Sequence, residues 1–278
     1  MRTGKRSTVA ESDSAQAGNR YERQLWMAHV GVSGQQKLSN ASVLVVGAGG
    51  LGSPILLYLA AAGVGTIGIV DSDTVNLSNL NRQILYQTAD IGQPKARVAK
   101  ERLAALNPDV CVEDYSQQLD SSNATALFSA YSVVIDATDN YPTRYLLSDA
   151  AVLSDKPLFI GAVSGLHGLV LTVIPHRTPC FRCLYPRSPT AAMAHRERMR
   201  GILGTNPGIV GSIVAQNAVK YILGIGDWLA GRLLLIDGEG NRFEVVQVER
   251  DASCRACGDH PTITELVSLR TDPGQSSC

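Results

Sequence analysis

Two pairs of cysteines with the same spacing constrain the fold of this chain more than any other feature of its sequence. They are Cys180 with Cys183, and Cys254 with Cys257. Each pair predicts a tight turn that points two thiolates at one ion, and together the pairs supply the ligands of a tetrahedral zinc. Because the pairs are far apart in the chain, we expect a closed, structural zinc site that ties two distant loops together. A redox function for either pair is the alternative.

The composition excludes several classes of protein. The chain has 278 residues, with 25 acidic and 25 basic side chains, so nothing predicts a nucleic-acid or membrane partner. No apolar stretch approaches the roughly 20 residues of a membrane span. The N-terminal segment lacks the apolar core of a secretory signal. Paired cysteines in such a chain favour metal binding in a reducing compartment, so we expect a cytoplasmic protein.

Composition also suggests how the chain is divided. Residues 1–18 are rich in Ser, Ala, Gly and charge, which predicts a disordered tail, with a partner-binding arm as the alternative. Residues 19–266 are predicted to form a single domain, and residues 267–278 a flexible C-terminal tail. Of the two cysteines outside the pairs, Cys111 is expected in the core and Cys278 to be an exposed thiol of unknown purpose.

A glycine-rich turn is the second informative feature. It follows the apolar run Ser42–Val46, which predicts a buried parallel strand, and it precedes a helical pattern at 51–62. A second predicted strand, Thr66–Val70, ends at Asp71, whose carboxylate can accept both hydroxyls of a ribose. This unit predicts nucleotide binding, but the turn alone does not distinguish NAD, FAD and ATP. The glycines are Gly47, Gly49, Gly50 and Gly52.

Charged residues further along the chain favour ATP. Arg82 lies in the loop after the second strand, and Lys95 begins the helix predicted at Lys95–Leu106, so both cations can converge on a triphosphate at the glycine turn. Asp139 follows a strand predicted at 132–135, on the crevice side of an open parallel sheet. A carboxylate there can hold Mg²⁺ against phosphate oxygens. An NAD-dependent dehydrogenase would need none of these groups.

The order of predicted elements indicates an α/β fold: a Rossmann-like, mostly parallel sheet with an antiparallel C-terminal extension and a four-cysteine zinc site. The segment 187–205 is polar and is expected to be mobile. Further strands are predicted at 110–113, 158–160, 169–174, 233–237 and 243–248, and further helices at 141–152 and 209–223.

Several other motifs occur in order along the chain. They are Tyr21-Glu22-Arg23-Gln24, Asp71 with Asp73, the loop from Ser78 to Gln83, Gly92-Gln93-Pro94-Lys95, and Ala137-Thr138-Asp139-Asn140. Together with the glycine turn and the cysteine pairs, they make residues 20–265 resemble the ThiF/MoeB/HesA family, the bacterial relatives of ubiquitin-activating enzymes.

The resemblance implies an adenylyltransferase that uses ATP and Mg²⁺. Such enzymes activate the C-terminal Gly-Gly carboxylate of a small ubiquitin-fold sulfur carrier, whose adenylate then becomes a thiocarboxylate. By this resemblance Asp139 binds Mg²⁺, Arg23 reaches the triphosphate from the other protomer of a homodimer, and the catalytic residues are Arg23, Arg82, Lys95 and Asp139. The implied nucleotide-binding residues are Gly47, Gly49, Gly50, Gly52, Asp71, Asp73, Ser78, Asn79, Leu80, Asn81, Arg82, Gln83, Lys95, Asp139 and Asn140.

One position departs from the family pattern. Many members carry a cysteine four residues before a Gly-x-Leu-Gly sequence, which here is Gly201-Ile202-Leu203-Gly204, and the corresponding residue is Glu197. A carboxylate cannot form the thioester or persulfide that a thiolate forms, so we expect no covalent intermediate between enzyme and carrier. The chain also lacks the rhodanese domain of some relatives, so a separate sulfur donor is expected in trans.

Two other functions remain open at this point. Some relatives adenylate a ribosomally made peptide in natural-product biosynthesis, but these often carry an extra N-terminal peptide-binding domain for which the residues before Tyr21 are too few. A non-catalytic adaptor that keeps only the carrier-docking fold is the other alternative. The retained set of charged residues, Arg23, Arg82, Lys95 and Asp139, argues against it.

Overall fold

The protein, seen in a computed structural model that describes residues 20–267, is built on one mixed eight-stranded sheet. The tails predicted at 1–18 and 267–278 lie outside the described residues, apart from Val267, and so does Cys278. The strands are β1 (Ser42–Val46), β2 (Thr66–Val70), β3 (Cys111–Tyr115), β4 (Val133–Asp136), β5 (Leu158–Ser164), β6 (His167–Val173), β7 (Arg232–Asp237) and β8 (Arg242–Gln247).

Helices cover both faces of this sheet. They are α1 (Glu22–Leu25), α2 (Gly31–Ser39), α3 (Gly52–Ala62), α4 (Lys95–Leu106), α5 (Ala124–Ala130), α6 (Tyr141–Leu153), α7 (Phe181–Leu184), α8 (Ala191–Met199) and α9 (Thr205–Leu223). One hydrophobic cluster joins α2, α3, α4 and α9 to the strand residues on one side. A second joins α5, α6 and the cysteine pairs to the other side.

The first five strands are parallel and lie in the spatial order β3-β2-β1-β4-β5. Val46, the last residue of β1, is in register with Val70 of β2 and with Asp136 of β4. The strand order reverses between β1 and β4, and ligands of open α/β sheets bind in the crevice outside such a reversal. The residues that follow these three strands therefore share one edge, called here the catalytic edge.

The antiparallel extension is also as predicted. Strand β6 runs antiparallel to β5, and β7 and β8 continue the sheet by antiparallel pairing. Because Val173 at the end of β6 pairs with Leu158 at the start of β5, the chain after β6 begins at the edge opposite the catalytic one.

Two sequence-based expectations differ from the structure, and one segment contains a helix that the sequence did not predict. The segment 187–205, expected to be mobile, contains the helix α8, and α9 begins at Thr205 rather than at 209 because Pro207 fits the first turn of a helix. Cys111, expected in the core, is exposed. It begins the edge strand β3, where exposed and buried residues alternate at its start, and its side chain falls on the solvent side.

Within the part of the chain that the structure describes, no helix is long and apolar enough to span a membrane.

Candidate nucleotide site and cysteine cluster

The glycine turn connects β1 to α3 and requires glycine for steric reasons. Gly47 has φ of +96°, and a β-carbon there would lie 2.7 Å from the carbonyl oxygen of Ala137. A β-carbon at Gly52 would collide with the carbonyl oxygen of Gly47. The turn is therefore folded tightly on itself and against the residues that follow β4, which leaves its backbone amides at the catalytic edge.

Asp71 connects the turn to the end of β2. Its Oδ2 accepts a hydrogen bond from the amide of Ala48 at 2.7 Å, and its Oδ1 accepts one from the amide of Asp73 at 2.8 Å. Burial raises the pKa of this carboxyl, while the charge of Lys95 and the two amides act in the opposite direction. A carboxylate has further lone pairs beyond these two bonds, so Asp71 remains able to accept ribose hydroxyls.

Lys95 lies at the same edge but is paired with an acid of its own chain. Its side chain is only 4% exposed, and Nζ donates to Oδ2 of Asp73 at 2.9 Å. Nearby, Tyr86 donates from its hydroxyl to the carbonyl of Ala48 in the glycine turn at 2.7 Å. Lys95 therefore has to exchange or share Asp73 before it can bind a phosphate.

The loop from Ser78 to Gln83 packs directly on the glycine turn. A β-carbon at Gly49 would lie 3.4 Å from Nε2 of Gln83, and one at Gly50 would lie 3.5 Å from Cγ of Arg82. Arg82 itself donates from Nη1 to the carbonyl of Ser78 at 3.0 Å and to Oδ1 of Asn81 at 3.1 Å. The guanidinium is thus held in place beside the turn by its own loop.

Two buried amides in this loop have no hydrogen-bond partner among the described residues. They are Nδ2 of Asn79 and Oε1 of Gln83, on side chains that are 2% and 4% exposed. Buried polar groups are normally satisfied, so these two atoms are suited to bind a polar ligand. A donor and an acceptor beside a glycine turn, a cationic side chain and a ribose-accepting acid fit the polar groups of a nucleotide such as ATP.

Asp139 lies in the turn between β4 and α6. It is exposed and makes no hydrogen bond or ion pair with the residues that the structure describes. The next residue, Asn140, caps α6, because its Oδ1 accepts a hydrogen bond from the amide of Thr143 at 2.9 Å. The carboxylate of Asp139 is therefore free at the catalytic edge, where it fits a hard cation such as Mg²⁺.

A buried ion pair behind this turn was not among the predicted site residues. Asp136, fully buried at the end of β4, accepts a hydrogen bond from Nε of Arg144 at 2.9 Å. The sequence held a signal for it, since an acid that ends an apolar strand needs a buried partner. A cation in the first turn of the next helix is the nearest one available.

Arg23 is the predicted site residue that the chain does not bring to the catalytic edge. Its helix, α1, packs against the far end of α3, where Gln24 donates to the carbonyl of Ala62 at 3.1 Å. Helix α3 has 11 residues, so about 16 Å of helix separate that end from the glycine turn. Arg23 is exposed and its guanidinium lies 4.4 Å from the ring centre of Trp26.

The four paired cysteines form one compact cluster beside α6. Their sulfur atoms all lie within 4.8 Å of one another. Individual separations are 3.9 Å for Cys180 to Cys183, 3.6 Å for Cys180 to Cys254 and 3.4 Å for Cys183 to Cys257. A tetrahedral zinc with Zn–S bonds of about 2.3 Å requires sulfur separations of about 3.8 Å.

The chemistry of the cluster also fits a metal. Hydrogen bonding between the sulfurs lowers the pKa of the Cys183 thiol and raises that of Cys180, so the first ionisation makes the next one harder. A bound cation would remove this conflict and stabilise all four thiolates. Because four sulfurs complete a tetrahedral set and leave no open position, the cluster fits a structural zinc.

The segment between the first cysteine pair and α9 returns to the catalytic edge. The hydroxyl of Tyr145 in α6 donates to the carbonyls of Tyr185 and Arg187, at 2.8 and 2.9 Å. At the other end Gly165 donates from its amide to the carbonyl of Gly201 at 3.0 Å. Glu197 lies in α8 between these two anchors, and its side chain lies outside the structural description.

Sequence comparisons identify the relatives of the chain. The sequence model of the ThiF family matches residues 21–256. A protein of Thermus thermophilus named "Sulfur carrier protein adenylyltransferase" is 50% identical over 255 residues, which cover 90% of this chain and 94% of the relative. "Adenylyltransferase and sulfurtransferase MOCS3-1" of Zea mays is 46% identical over 88% of this chain. The chain spans about half, 53%, of that longer relative.

Solved structures share the fold. The crystal structure of E. coli MccB with ATP has a TM-score of 0.73 at 21% identity, covering 86% of this chain and 74% of MccB. That of PaaA has a TM-score of 0.70 at 23% identity, covering 88% of this chain and 78% of PaaA. These likenesses concern the fold alone. The extent of the family match and the identity to the Thermus relative show that the chain belongs to the ThiF family.

Proposed function

We propose that this chain, as a single adenylation domain over residues 19–266, uses ATP to adenylate the C-terminal Gly-Gly carboxylate of a small ubiquitin-fold sulfur carrier. The observation that carries the proposal is the meeting of the glycine turn, Asp71 and the Asp139 turn at one sheet edge, in register at Val46, Val70 and Asp136. The unpartnered buried amides of the Ser78–Gln83 loop support a polar ligand there. The substrate class, a sulfur carrier, is inferred from the name of the Thermus relative.

The reaction requires the protein to position the reactants and to neutralise charge. It requires no general base, because a carboxylate is already a nucleophile. A carrier carboxylate oxygen forms a bond to the α-phosphorus of ATP. The bond between that phosphorus and the oxygen bridging to the β-phosphate breaks, and pyrophosphate leaves with the electron pair. The products are a carrier acyl-adenylate and pyrophosphate.

Each proposed residue has a function in this step. The glycine turn and Asp71 hold the nucleoside end of ATP, with Asp73 positioning Lys95. Asn79, Arg82 and Lys95 bind the phosphates, supported by the rest of the loop from Ser78 to Gln83, and Asp139 with its neighbour Asn140 forms the metal-binding turn. When bound, Mg²⁺ neutralises charge that develops on the phosphate oxygens. Arg82 and Lys95 stabilise the same charge from the protein side.

The position of Arg23 supports a homodimer. Because about a whole length of α3 separates Arg23 from the glycine turn of its own chain, its guanidinium can serve this reaction only at the site of a second copy. Exposed apolar side chains beside it, Trp26 at 62% and Met27 at 53%, are suited to burial in such a contact. We therefore assign Arg23 to the partner protomer's triphosphate.

The sulfur donor is proposed to be a separate molecule. Among the described residues, the thiols are those of Cys111 and of the four clustered cysteines. Cys111 begins β3, at the edge opposite the catalytic one, and the cluster is proposed to hold zinc. We propose that the acyl-adenylate is handed to an external persulfide or sulfide, in a cytoplasm whose reducing conditions keep the cysteines free.

Chemical trapping tests the proposal. Purified protein is incubated with ATP, Mg²⁺, hydroxylamine and a ubiquitin-fold carrier that ends in Gly-Gly. Hydroxylamine displaces AMP from an acyl-adenylate and leaves a carrier hydroxamate, which intact-mass spectrometry detects. We expect the hydroxamate with this carrier and none with the same carrier lacking its terminal glycine. If no carrier is modified while a peptide is, the peptide-adenylating function replaces this one. ATP binding without any product would favour the adaptor.

A further inference from the structure

The turn that carries Asp139 is held by a charged network inside the protein. Arg144, 7% exposed, donates from Nε to Oδ2 of the fully buried Asp136 at 2.9 Å. Its Nη2 donates to the carbonyl of Thr138 at 2.6 Å and to the carbonyl of Gly161 in β5 at 3.0 Å. One guanidinium thus joins the end of β4, the turn and the neighbouring strand.

The other carboxylate oxygen of Asp136 bonds to the same turn. Oδ1 of Asp136 accepts hydrogen bonds from the amide of Thr138 at 2.8 Å and from its hydroxyl at 2.6 Å. Both the amide and the carbonyl of Thr138 are therefore bonded to the ion pair. The backbone on one side of Asp139 has little freedom left.

The other side of Asp139 is fixed by the helix that follows. Asn140 caps α6 through its bond with the amide of Thr143. The turn also lies against the nucleotide site, because the carbonyl of Ala137 is the group that excludes any side chain at Gly47. Asp139 is consequently an exposed, unpaired carboxylate on a backbone held at both flanks, and its distance from the glycine turn is set by the packing between them.

We infer that Arg144 is a positioning residue for the reaction: through Asp136 and Thr138 it holds the carboxylate of Asp139 where the nucleotide-bound Mg²⁺ needs it. This inference rests on the proposed function. A planar guanidinium can bond a carboxylate and two carbonyls at once, whereas an ammonium is a single point charge on a flexible stem. Arg144→Lys keeps the buried charge and loses that geometry.

The same helix supplies a matched control. Asp149 in α6 pairs with Arg182, whose Nε and Nη2 donate to its two oxygens at 2.7 Å each. This pair is also largely buried, at 5% and 13% exposure, but it contacts the first cysteine turn and not the Asp139 turn. Asp149→Asn therefore weakens a comparable buried ion pair further along α6.

Thermal shift with ATP alone and with ATP plus Mg²⁺ tests the inference without depending on turnover. The buffer is free of magnesium and contains no chelator, so the cysteine cluster stays intact. Both variants should melt below the wild type. In Arg144→Lys, we expect ATP alone to raise the melting temperature as in the wild type, and the extra rise on adding Mg²⁺ to be lost. Asp149→Asn should keep both rises.

A kinetic readout separates positioning from stability. The Mg²⁺ concentration that half-saturates ATP–pyrophosphate exchange should rise by about 10- to 100-fold in Arg144→Lys and stay unchanged in Asp149→Asn. A wild-type Mg²⁺ response in Arg144→Lys would overturn the inference and leave Arg144 a purely structural residue. An equal shift in both variants would also overturn it. If the wild type itself shows no rise with ATP, the proposed function fails instead.

Discussion

At the scale of single residues, the site separates groups that act from groups that support them. Asp139 is exposed and unpaired among the described residues. Its carboxylate therefore supports no other part of the structure and is available to bind a cation. Asp136, the last residue of β4, is fully buried and bonded through both carboxylate oxygens. The two acids lie close in sequence, yet removal of Asp136 should lower the stability of the fold, whereas removal of Asp139 should lower activity.

Asp139→Ala should abolish adenylation without unfolding the protein. Because no described residue depends on this carboxylate, the melting temperature should stay within about 2 °C of the wild type. Exchange between ATP and pyrophosphate should fall by more than about 10³-fold, the upper range for loss of one transition-state contact. Thermal melts followed by circular dichroism measure the stability, and exchange with radiolabelled pyrophosphate measures the activity. Exchange retained in this variant would contradict the assignment of Asp139 to Mg²⁺.

Gly52→Ala should damage the glycine turn itself. Its β-carbon would collide with the carbonyl of Gly47, so the turn has to open, at a cost of about 1–3 kcal/mol and with loss of ATP binding. Gly208 in the first turn of α9 is the control, because a β-carbon there meets nothing within 4 Å. Gly208→Ala should be neutral or stabilising by up to about 1 kcal/mol. Urea unfolding and ATP titration compare the two, and equal effects would refute the steric argument.

At the scale of elements, the cysteine turns tie the ends of the antiparallel extension to helix α6. The cluster joins the segment after β6 to the segment after β8, and Arg182 within the first turn pairs with Asp149 of α6. A metal at the cluster would therefore stabilise contacts between elements that are distant in sequence.

Removal of the metal should lower stability before it lowers chemistry. Zinc content measured by mass spectrometry should be one ion per chain in the wild type and in Cys111→Ser, whose thiol is exposed and outside the cluster. Cys180→Ser should lose the ion and melt at least several degrees lower, because about 2–4 °C corresponds to each kcal/mol in a protein of this size. An unchanged melting temperature in metal-free Cys180→Ser would argue against a structural zinc.

The elements differ in how well the sequence predicts them. The parallel strands β1, β2 and β4 are predictable because a short apolar run can only be buried on both faces, and their ends then locate Asp71 and Asp139. The ion pair of Asp136 with Arg144 is a tertiary contact that periodicity does not encode. Periodicity does not predict helix α8 either, because its polar sequence has no apolar face that would mark it as a helix.

At the scale of the whole molecule, the proposed homodimer would build each active site from two chains, because Arg23 would act at the site of its partner. The residue lies at the far end of α3 from its own glycine turn. A two-fold dimer brings the same surface of each chain against the other, so each copy can lend its Arg23 to its partner.

Subunit mixing tests this arrangement. Arg23→Ala and Asp139→Ala should each be inactive as pure proteins. In a mixed dimer, one site combines the intact Asp139 of one chain with the intact Arg23 of the other, so an equal mixture should recover about a quarter of the wild-type sites. Exchange activity before and after mixing measures this recovery. No recovery in dimers shown to have mixed would indicate that Arg23 does not act across the interface.

The measurement that tests the central claim most directly is ATP–pyrophosphate exchange by the purified protein, with and without a ubiquitin-fold carrier ending in Gly-Gly. Exchange requires that a carboxylate attack the α-phosphate reversibly, so it reports the proposed step itself. We predict exchange that appears only with the carrier and disappears when its last glycine is removed. No exchange with any carrier of this kind, from protein that binds ATP, would contradict the account.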